Sequence, residues 1–436
     1  MKCKCSNYKL LLSLYCLGGE GLNINANKFI LMMLFFVLLS LLLFPLLSYV
    51  LSSIMLILIV NNREERSKIM FSLFFVILVL SHIVNEVSVQ KFLIREDDFT
   101  TYYSNYLDLL HGNYEALFVF GGGIEIGLPV VNYVLSIVVD QPMPYLIQAI
   151  YIAIFMALLI YLISISPLYD LYSKLALLLW ILLFIKFTAM LTIERQAIAS
   201  FFVIFAIFEP RKKFFWLIIG CIFHLTSPIV YFVTKFVLKV RTYKKALIAC
   251  SVLFIFTFFS YNVLSAINAL INTDKIGYVL YFLNENDLIK NELVKSVKQI
   301  IYILPLCVLD PILRCRGIRW EYGPSVFLFC MSMLILSALP GVPSRVLMPI
   351  VFILYGYYYY SFFNLFSKKI QVTGFTIIAI LFALYKLMLP GYYYRFPILN
   401  VYPGYYMVEL LEEVGYIDRF SLPSAEDVEI YNGNKL

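Results

Sequence analysis

Two groups of ionisable residues interrupt strongly apolar segments of this chain. Between Met190 and Tyr231, Arg195 begins one apolar segment, and His224 lies inside the next, close to Thr226 and Ser227. A guanidinium binds anions and an imidazole transfers protons near neutral pH. Because an Arg at the centre of a membrane helix costs about 2.5 to 3.5 kcal/mol on insertion scales, such residues usually face a cavity or a partner. The stretch therefore indicates a functional site.

The composition is that of a polytopic membrane protein. Hydrophobic residues make up 62% of the 436 residues, charged residues 14%, and the mean hydropathy is +0.87. This excludes a soluble enzyme. The net charge of +7 comes from Lys and Arg, which cluster in short loops between apolar runs. Positive charges in such loops orient membrane spans, so the charge does not indicate nucleic-acid binding. The eight scattered Cys predict neither a zinc site nor a disulfide framework.

Charged loops predict which ends of the spans face the cytoplasm. Arg211 to Lys213, Arg314 to Arg319, and Lys368 with Lys369 are expected inside. Counting spans from these loops places loops 91–125 and 272–298 outside. The same count requires the short run Ile126 to Val139 to be re-entrant or interfacial.

Two apolar stretches allow more than one course. Phe29 to Val60, broken near Pro45, is one long tilted helix or a tight pair. Phe214 to Leu238 is predicted to be a hairpin with its outer apex near His224 to Pro228, and the alternative is one long span. The hairpin places Arg195, His224, Arg345, Glu125 and the loop containing Asp97 and Asp98 on one outer face.

The predicted fold class is all-α, a polytopic integral membrane protein with about ten to thirteen transmembrane helices. A polar lead-in covers residues 1–28. A single transmembrane domain covers residues 29–390, and residues 391–436 form a tail on the outer face.

Four short motifs together resemble a known family. They are DDFTTYYSNY from Asp97 to Tyr106, Glu125 with Gly127 ahead of LPVVNYVLS, ERQAIA around Arg195, and FHLTSPIV around His224. Their order and spacing resemble the EpsG-like branch of the Wzy-type polysaccharide polymerases of bacterial inner membranes. The double Asp, the polar N-terminus and Thr226 depart from that pattern.

The resemblance implies a glycosyltransferase that joins lipid-linked oligosaccharide repeat units at the outer face of the bacterial inner membrane, with an architecture similar to the GT-C glycosyltransferases. Its partners would be an undecaprenyl diphosphate-linked oligosaccharide, membrane lipids, a chain-length regulator and a flippase. No cofactor or metal is implied. The implied catalytic candidates are Asp97, Asp98, Glu125 and His224, and the implied substrate-binding candidates are Arg195, Arg345, Tyr102, Tyr103, Tyr106 and Ser227.

Other interpretations stay open. Arg195 also suits an interfacial anchor, His224 a packing role, and Asp97 or Asp98 a helix cap. An O-antigen ligase or another transferase with a lipid-linked donor is one alternative function. A flippase or transporter is another, although internal repeats are not evident in the sequence.

Overall fold

The computed structural model describes residues 22–43, 45–60, 65–89, 98–139, 144–271, 280–281, 286–339 and 341–387. Within these ranges all regular secondary structure is helical. The protein is an all-α polytopic membrane protein. The lead-in 1–28 and the tail 391–436 lie largely or wholly outside the described residues, so their predicted roles stay predictions.

The helices are numbered in chain order. The first six are α1 Leu22–Leu43, α2 Pro45–Val60, α3 Glu65–Val89, α4 Asp98–Leu110, α5 Gly127–Val138 and α6 Pro144–Ile165. The next six are α7 Leu171–Phe184, α8 Phe187–Leu191, α9 Glu194–Phe208, α10 Lys213–Phe223, α11 Ser227–Lys239 and α12 Tyr243–Ile271. The last six are α13 Asn286–Ile300, α14 Leu304–Cys315, α15 Gly323–Leu336, α16 Val342–Val346, α17 Tyr355–Phe363 and α18 Lys368–Leu387.

Helix lengths in the described part of the chain fall into two groups. Leu146–Ile165, Tyr243–Ser260 and Lys368–Tyr385 are long and apolar enough to cross a membrane. Leu288–Ile300 and Leu304–Cys315 would form a fourth span, bent by 56°. Seven further apolar helices have 10 to 17 residues. Three helices, or four with the bent pair, therefore have the length of a crossing among the described residues, and the count of ten to thirteen spans stays a prediction.

The first apolar stretch forms a tight pair of helices. Helix α1 ends at Leu43, and Pro45, which disfavours continuation of a preceding helix, begins α2. The Ser48 hydroxyl donates to the carbonyl oxygen of Val37 at 2.9 Å, across eleven residues of chain. A continuous helix would hold these two residues about 16 Å apart. The alternative of one long tilted helix is therefore wrong.

The predicted outer loop 91–125 is largely helical where it is described. It contains α4 and two 3-10 turns, Tyr114–Phe118 and Gly121–Gly123. Helix α4 packs on α5, where the Asn132 amide donates to Asn105 at 3.0 Å. Helix α5 is about 18 Å long, less than the roughly 30 Å hydrocarbon core. That it does not cross the membrane stays a prediction.

Close packing of α7 against α17 forms part of the buried core. The Trp180 ring stacks on Tyr359 and Phe363, with centroids 5.5 and 5.0 Å away. Gly356 lies against the backbone of Ile181, where a Cβ atom would collide with main-chain atoms. The two helices can approach this closely only because residue 356 has no side chain.

The segment predicted as a hairpin is interrupted where expected. Helix α10 ends at Phe223 and α11 begins at Ser227, with Pro228 in its first turn. His224 lies in the break in an extended conformation. The break is confirmed, whereas the hairpin course of the segment stays a prediction. Similarly, α13 occupies part of the predicted outer loop 272–298.

Candidate functional site

A single carboxylate, that of Glu125, lies at the centre of the candidate site. It follows three consecutive glycines, Gly121 to Gly123, with φ angles of 57°, 66° and 89°. These angles lie in the left-handed region, which residues with a side chain rarely adopt. A Cβ on Gly121 would also collide with the Glu125 side chain. The turn thus directs Glu125 into the protein, where it is 4% exposed.

Arg195 binds one oxygen of this carboxylate. It lies in the first turn of α9, and its Nη1 forms an ion pair with Glu125 Oε2. The guanidinium also lies 4.3 Å from the Phe120 ring centroid and 5.7 Å from that of Tyr102. Nε of Arg195 is buried and has no hydrogen-bond partner among the described residues. The site therefore holds a fixed cation with an unused donor.

His224 and Leu225 bind the other oxygen. His224 Nδ1 lies 2.8 Å from Glu125 Oε1, and the backbone N–H of Leu225 donates to the same oxygen at 2.8 Å. Because both residues lie in the break between α10 and α11, their backbone is free to turn toward the carboxylate. The hydroxyl of Ser227, which is buried, donates to the His224 carbonyl oxygen at 2.6 Å. Ser227 thus stabilises the break, and its predicted role in substrate binding stays a prediction.

The surroundings of Glu125 favour its ionised form. Burial alone would raise the pKa of this loop carboxyl. Hydrogen bonds from His224 and Leu225, with the positive charge of Arg195, outweigh that effect and hold the pKa below its usual range. An ionised Glu125 accepts a hydrogen bond from the Nδ1–H group of His224. In a neutral imidazole this leaves Nε2 as an acceptor.

Gln196 occupies the free side of the imidazole. Its Nε2 lies 2.9 Å from His224 Nε2, so the amide can donate to that nitrogen of the neutral imidazole. Gln196 was not among the sequence candidates, although it lies in the ERQAIA motif next to Arg195. Phe120 was also missed, because its role depends on the glycine turn that brings its ring under Arg195.

Tyr102 connects α4 to this cluster. It is 5% exposed, its ring meets the Phe120 ring edge-on at 5.8 Å, and its hydroxyl lies beside Arg195. Burial raises the pKa of Tyr102 to about 12, although Arg195 acts in the opposite direction. Asp98 begins the same helix one turn earlier and is exposed. Its charge acts on the Tyr102 hydroxyl, which places Asp98 near the cluster. Asp97 lies outside the described residues.

Two tyrosine candidates are buried against each other, and Arg345 lies on another helix. Tyr103 and Tyr106 are 2% and 0% exposed and stack on each other at 6.0 Å. The Tyr106 hydroxyl donates to the Val139 carbonyl oxygen. Both rings are buried in this packing, and their predicted role in substrate binding stays a prediction. Arg345 lies on α16, which packs against α11, and it is exposed. No hydrogen bond or ion pair joins Arg345 to the Glu125 cluster in the described part of the chain.

The arrangement supports acid–base chemistry and anion binding. It contains an imidazole oriented by a carboxylate, a guanidinium with a free donor, and a tyrosine hydroxyl that keeps its proton. Over the residues that the structure describes, no three His, Cys, Asp or Glu side chains are grouped so as to hold a metal ion.

Comparison with known proteins identifies the family. No curated protein and no solved structure matches the chain, so the likeness to GT-C glycosyltransferases stays a prediction. A sequence model of the EpsG family matches residues 92–398. The match covers more than half of the 436 residues and includes Glu125, Arg195 and His224. The chain therefore belongs to the EpsG family.

Proposed function

We propose that this protein polymerises lipid-linked oligosaccharide repeat units into an O-antigen, capsule or exopolysaccharide. Membership of the EpsG family suggests a function of this polymerase type. The observation that carries the proposal is the Glu125 carboxylate, which binds Arg195 and His224 across 70 and 99 residues of chain. A buried ionised carboxylate that fixes both a base and a phosphate-binding cation suits transfer from a diphosphate carrier.

His224 is the proposed general base. The acceptor hydroxyl oxygen attacks the anomeric carbon of the donor sugar, and its proton passes to His224 Nε2. Glu125 holds Nδ1–H and stabilises the imidazolium that forms, as the carboxylate of a Ser-His-Asp triad does. Glu125 has both oxygens occupied and is better suited to this positioning role than to proton abstraction. Gln196 would leave Nε2 when the hydroxyl binds.

Arg195 is the proposed ligand of the leaving group. As the new glycosidic bond forms, the bond between the anomeric carbon and the undecaprenyl diphosphate oxygen breaks, and the diphosphate leaves as an anion. A guanidinium stabilises such charge with planar, paired N–H donors. The Arg195 side chain, which is 23% exposed, and the Tyr102 hydroxyl beside it provide donors for this purpose.

Asp98 is the proposed second acidic contributor. It lies on α4 one turn from Tyr102, at the edge of the cluster, where its exposed carboxylate can accept hydrogen bonds from sugar hydroxyls. Asp97 precedes it and stays a candidate for the same role. Arg345 and the proposed flippase and chain-length regulator partners would act around this site at the outer face of the inner membrane.

The test is polymerisation in vitro with purified lipid-linked repeat unit, with product length as the readout. His224→Ala and Asp98→Asn should each abolish or strongly reduce extension while leaving the protein folded in detergent. Because groups that act as a unit are not additive, the double variant should be hardly worse than the poorer single variant. His111→Ala is the matched control for the imidazole, since His111 is exposed after the end of α4.

If the His224→Ala protein extends the glycan as the wild type does, His224 is not the base. Transfer of a finished glycan to another acceptor, without extension, would favour a ligase. Movement of the lipid-linked unit across vesicles without any new glycosidic bond would favour a flippase.

A further inference from the structure

A second cluster of charged residues lies at the opposite end of α11 from Glu125. Helix α11 begins at Ser227, which bonds His224, and ends at Lys239, two residues before Arg241. Its thirteen residues span about 20 Å. The second cluster therefore lies about 20 Å from the Glu125 site along this helix. Its loop, Arg314 to Arg319, is the one that the charge distribution predicts to be cytoplasmic.

The cluster surrounds a cavity of about 700 Å³. The residues that line it include Arg241, Tyr243, Arg314, Arg319, Trp320 and Glu321. This volume lies within the roughly 300 to 1,000 Å³ of typical small-molecule sites. Three guanidinium groups and a single carboxylate line the cavity, so it favours an anion.

Buried contacts fix one wall of the cavity. Asp310 is 0% exposed, and its Oδ2 accepts from Arg314 Nε at 2.7 Å and from the Tyr243 hydroxyl at 2.6 Å. Arg314 Nη2 also donates to the Trp320 carbonyl oxygen at 2.7 Å. Gly323 lies so close to Asp310 that a Cβ there would collide with its carboxylate. Asp310 therefore positions Arg314 and compensates its charge. The Asp310 carboxylate is itself buried and does not line the cavity.

The other two guanidinium groups are not compensated in this way. Arg319 is exposed and has no hydrogen bond or ion pair in the described ranges. Arg241 lies 4.1 Å over the Tyr322 ring and donates to the Leu238 carbonyl oxygen. Its approach to Glu321 is long, 3.8 Å, and the Glu321 side chain is 76% exposed. Such an exposed pair contributes little to stability and is easily exchanged for another partner.

We propose that this cavity binds a phosphate group of an anionic ligand, contributed by the headgroup of an anionic phospholipid or by a soluble phosphate compound. Arg241 and Arg319 supply the donors, because a guanidinium matches the oxygens of phosphate with paired N–H groups. Arg314 is held in place by Asp310 and forms the wall beside these two arginines. The site is separate from the proposed polymerase site, and its occupancy does not depend on glycan transfer.

The test measures ligand binding to the purified full-length protein in detergent. Two probes are used: phosphatidylglycerol by native mass spectrometry, and inorganic pyrophosphate by calorimetry without added lipid. Arg319→Ala and Arg241→Ala should each weaken binding about tenfold, as expected for loss of a charged hydrogen bond. Arg316→Ala is the matched control, because Arg316 is exposed in the same loop but does not line the cavity. Thermal unfolding checks that each variant is folded.

The two probes separate the two sources of the phosphate. Saturable pyrophosphate binding that Arg319→Ala weakens identifies a soluble ligand. Binding of phosphatidylglycerol alone, with the same sensitivity, identifies a lipid headgroup. The proposal is overturned if neither probe binds, if the cavity variants bind as the wild type does, or if Arg316→Ala weakens binding as much as Arg319→Ala.

Discussion

Replacement of Glu125 by glutamine tests whether the carboxylate charge organises the site. Glutamine keeps the shape of the side chain but has one acceptor oxygen and one amide donor. With the oxygen toward Leu225 and His224, the amide faces the Arg195 guanidinium. If the side chain is turned the other way, the NH₂ group of the glutamine faces the Leu225 N–H, and His224 must change its tautomer. Either orientation places two donors against each other.

The expected effect on stability follows from these contacts. Glu125 is 4% exposed and accepts from three groups, so the variant leaves at least one donor unsatisfied at a cost of about 1 to 3 kcal/mol. The effect on catalysis should be larger. Loss of the carboxylate that orients a catalytic histidine reduces kcat about 10⁴-fold in the Ser-His-Asp triad. We therefore expect Glu125→Gln to reduce glycan extension by about 10³-fold or more while the protein still folds.

The assay is extension of purified lipid-linked repeat unit under single-turnover conditions, with folded protein quantified by gel filtration. Glu115→Gln is the control, because it makes the same chemical change at an exposed position. Glu115 lies in the 3-10 turn ahead of the glycines. Wild-type extension by folded Glu125→Gln protein would refute the positioning role of the carboxylate and, with it, the proposed tautomer of His224.

Three further predictions follow from the described contacts. Arg195→Lys keeps the charge but loses the planar fork, so extension should fall by about ten- to a hundredfold and the affinity for the diphosphate carrier should fall with it. Because the pKa of Glu125 is lowered from 4.5, the stability it adds is present above pH 4.5 and is lost as the pH falls through the lowered pKa. The difference in Tm between wild type and Glu125→Gln should accordingly shrink in acid. Gly356→Ala places a Cβ against the Ile181 backbone and should lower the Tm or the yield of folded protein. Gly112→Ala is the control: its Cβ position has open space around it, so this variant should lower the Tm much less and only because of the positive φ.

Local chemistry explains the parts of the fold that were predictable. Hydropathy predicts an all-α membrane protein because the polar backbone groups of an apolar segment in lipid must satisfy one another's hydrogen bonds. The breaks before Pro45 and at His224 to Thr226 follow from proline and from polar residues inside apolar runs. Helix α4 was less evident, because its polar and aromatic residues also suit an outer loop; its tyrosines, however, form a buried face at helical spacing.

Long-range contacts explain what sequence reasoning could not supply. Arg195, His224 and Glu125 were each identifiable as unusual residues, but their common contact spans up to 99 residues of chain and depends on how three segments pack. The cavity at the other end of α11 has a partly local signal. Asp310 and Arg314 lie four residues apart, the spacing that pairs opposite charges on a helix. The charge of Arg314 alone predicted only a cytoplasmic loop.

The hydrogen bond between the Leu225 N–H and Glu125 has an evolutionary consequence. An interruption in an apolar helix exposes backbone donors that lipid cannot satisfy. Here a side chain from the glycine turn satisfies one of them. Relatives that lost the acid at the position of Glu125 would then be expected to carry either an uninterrupted helix through the positions of His224 to Thr226 or a replacement acceptor nearby. The glutamate and the interruption should therefore be inherited together as one trait.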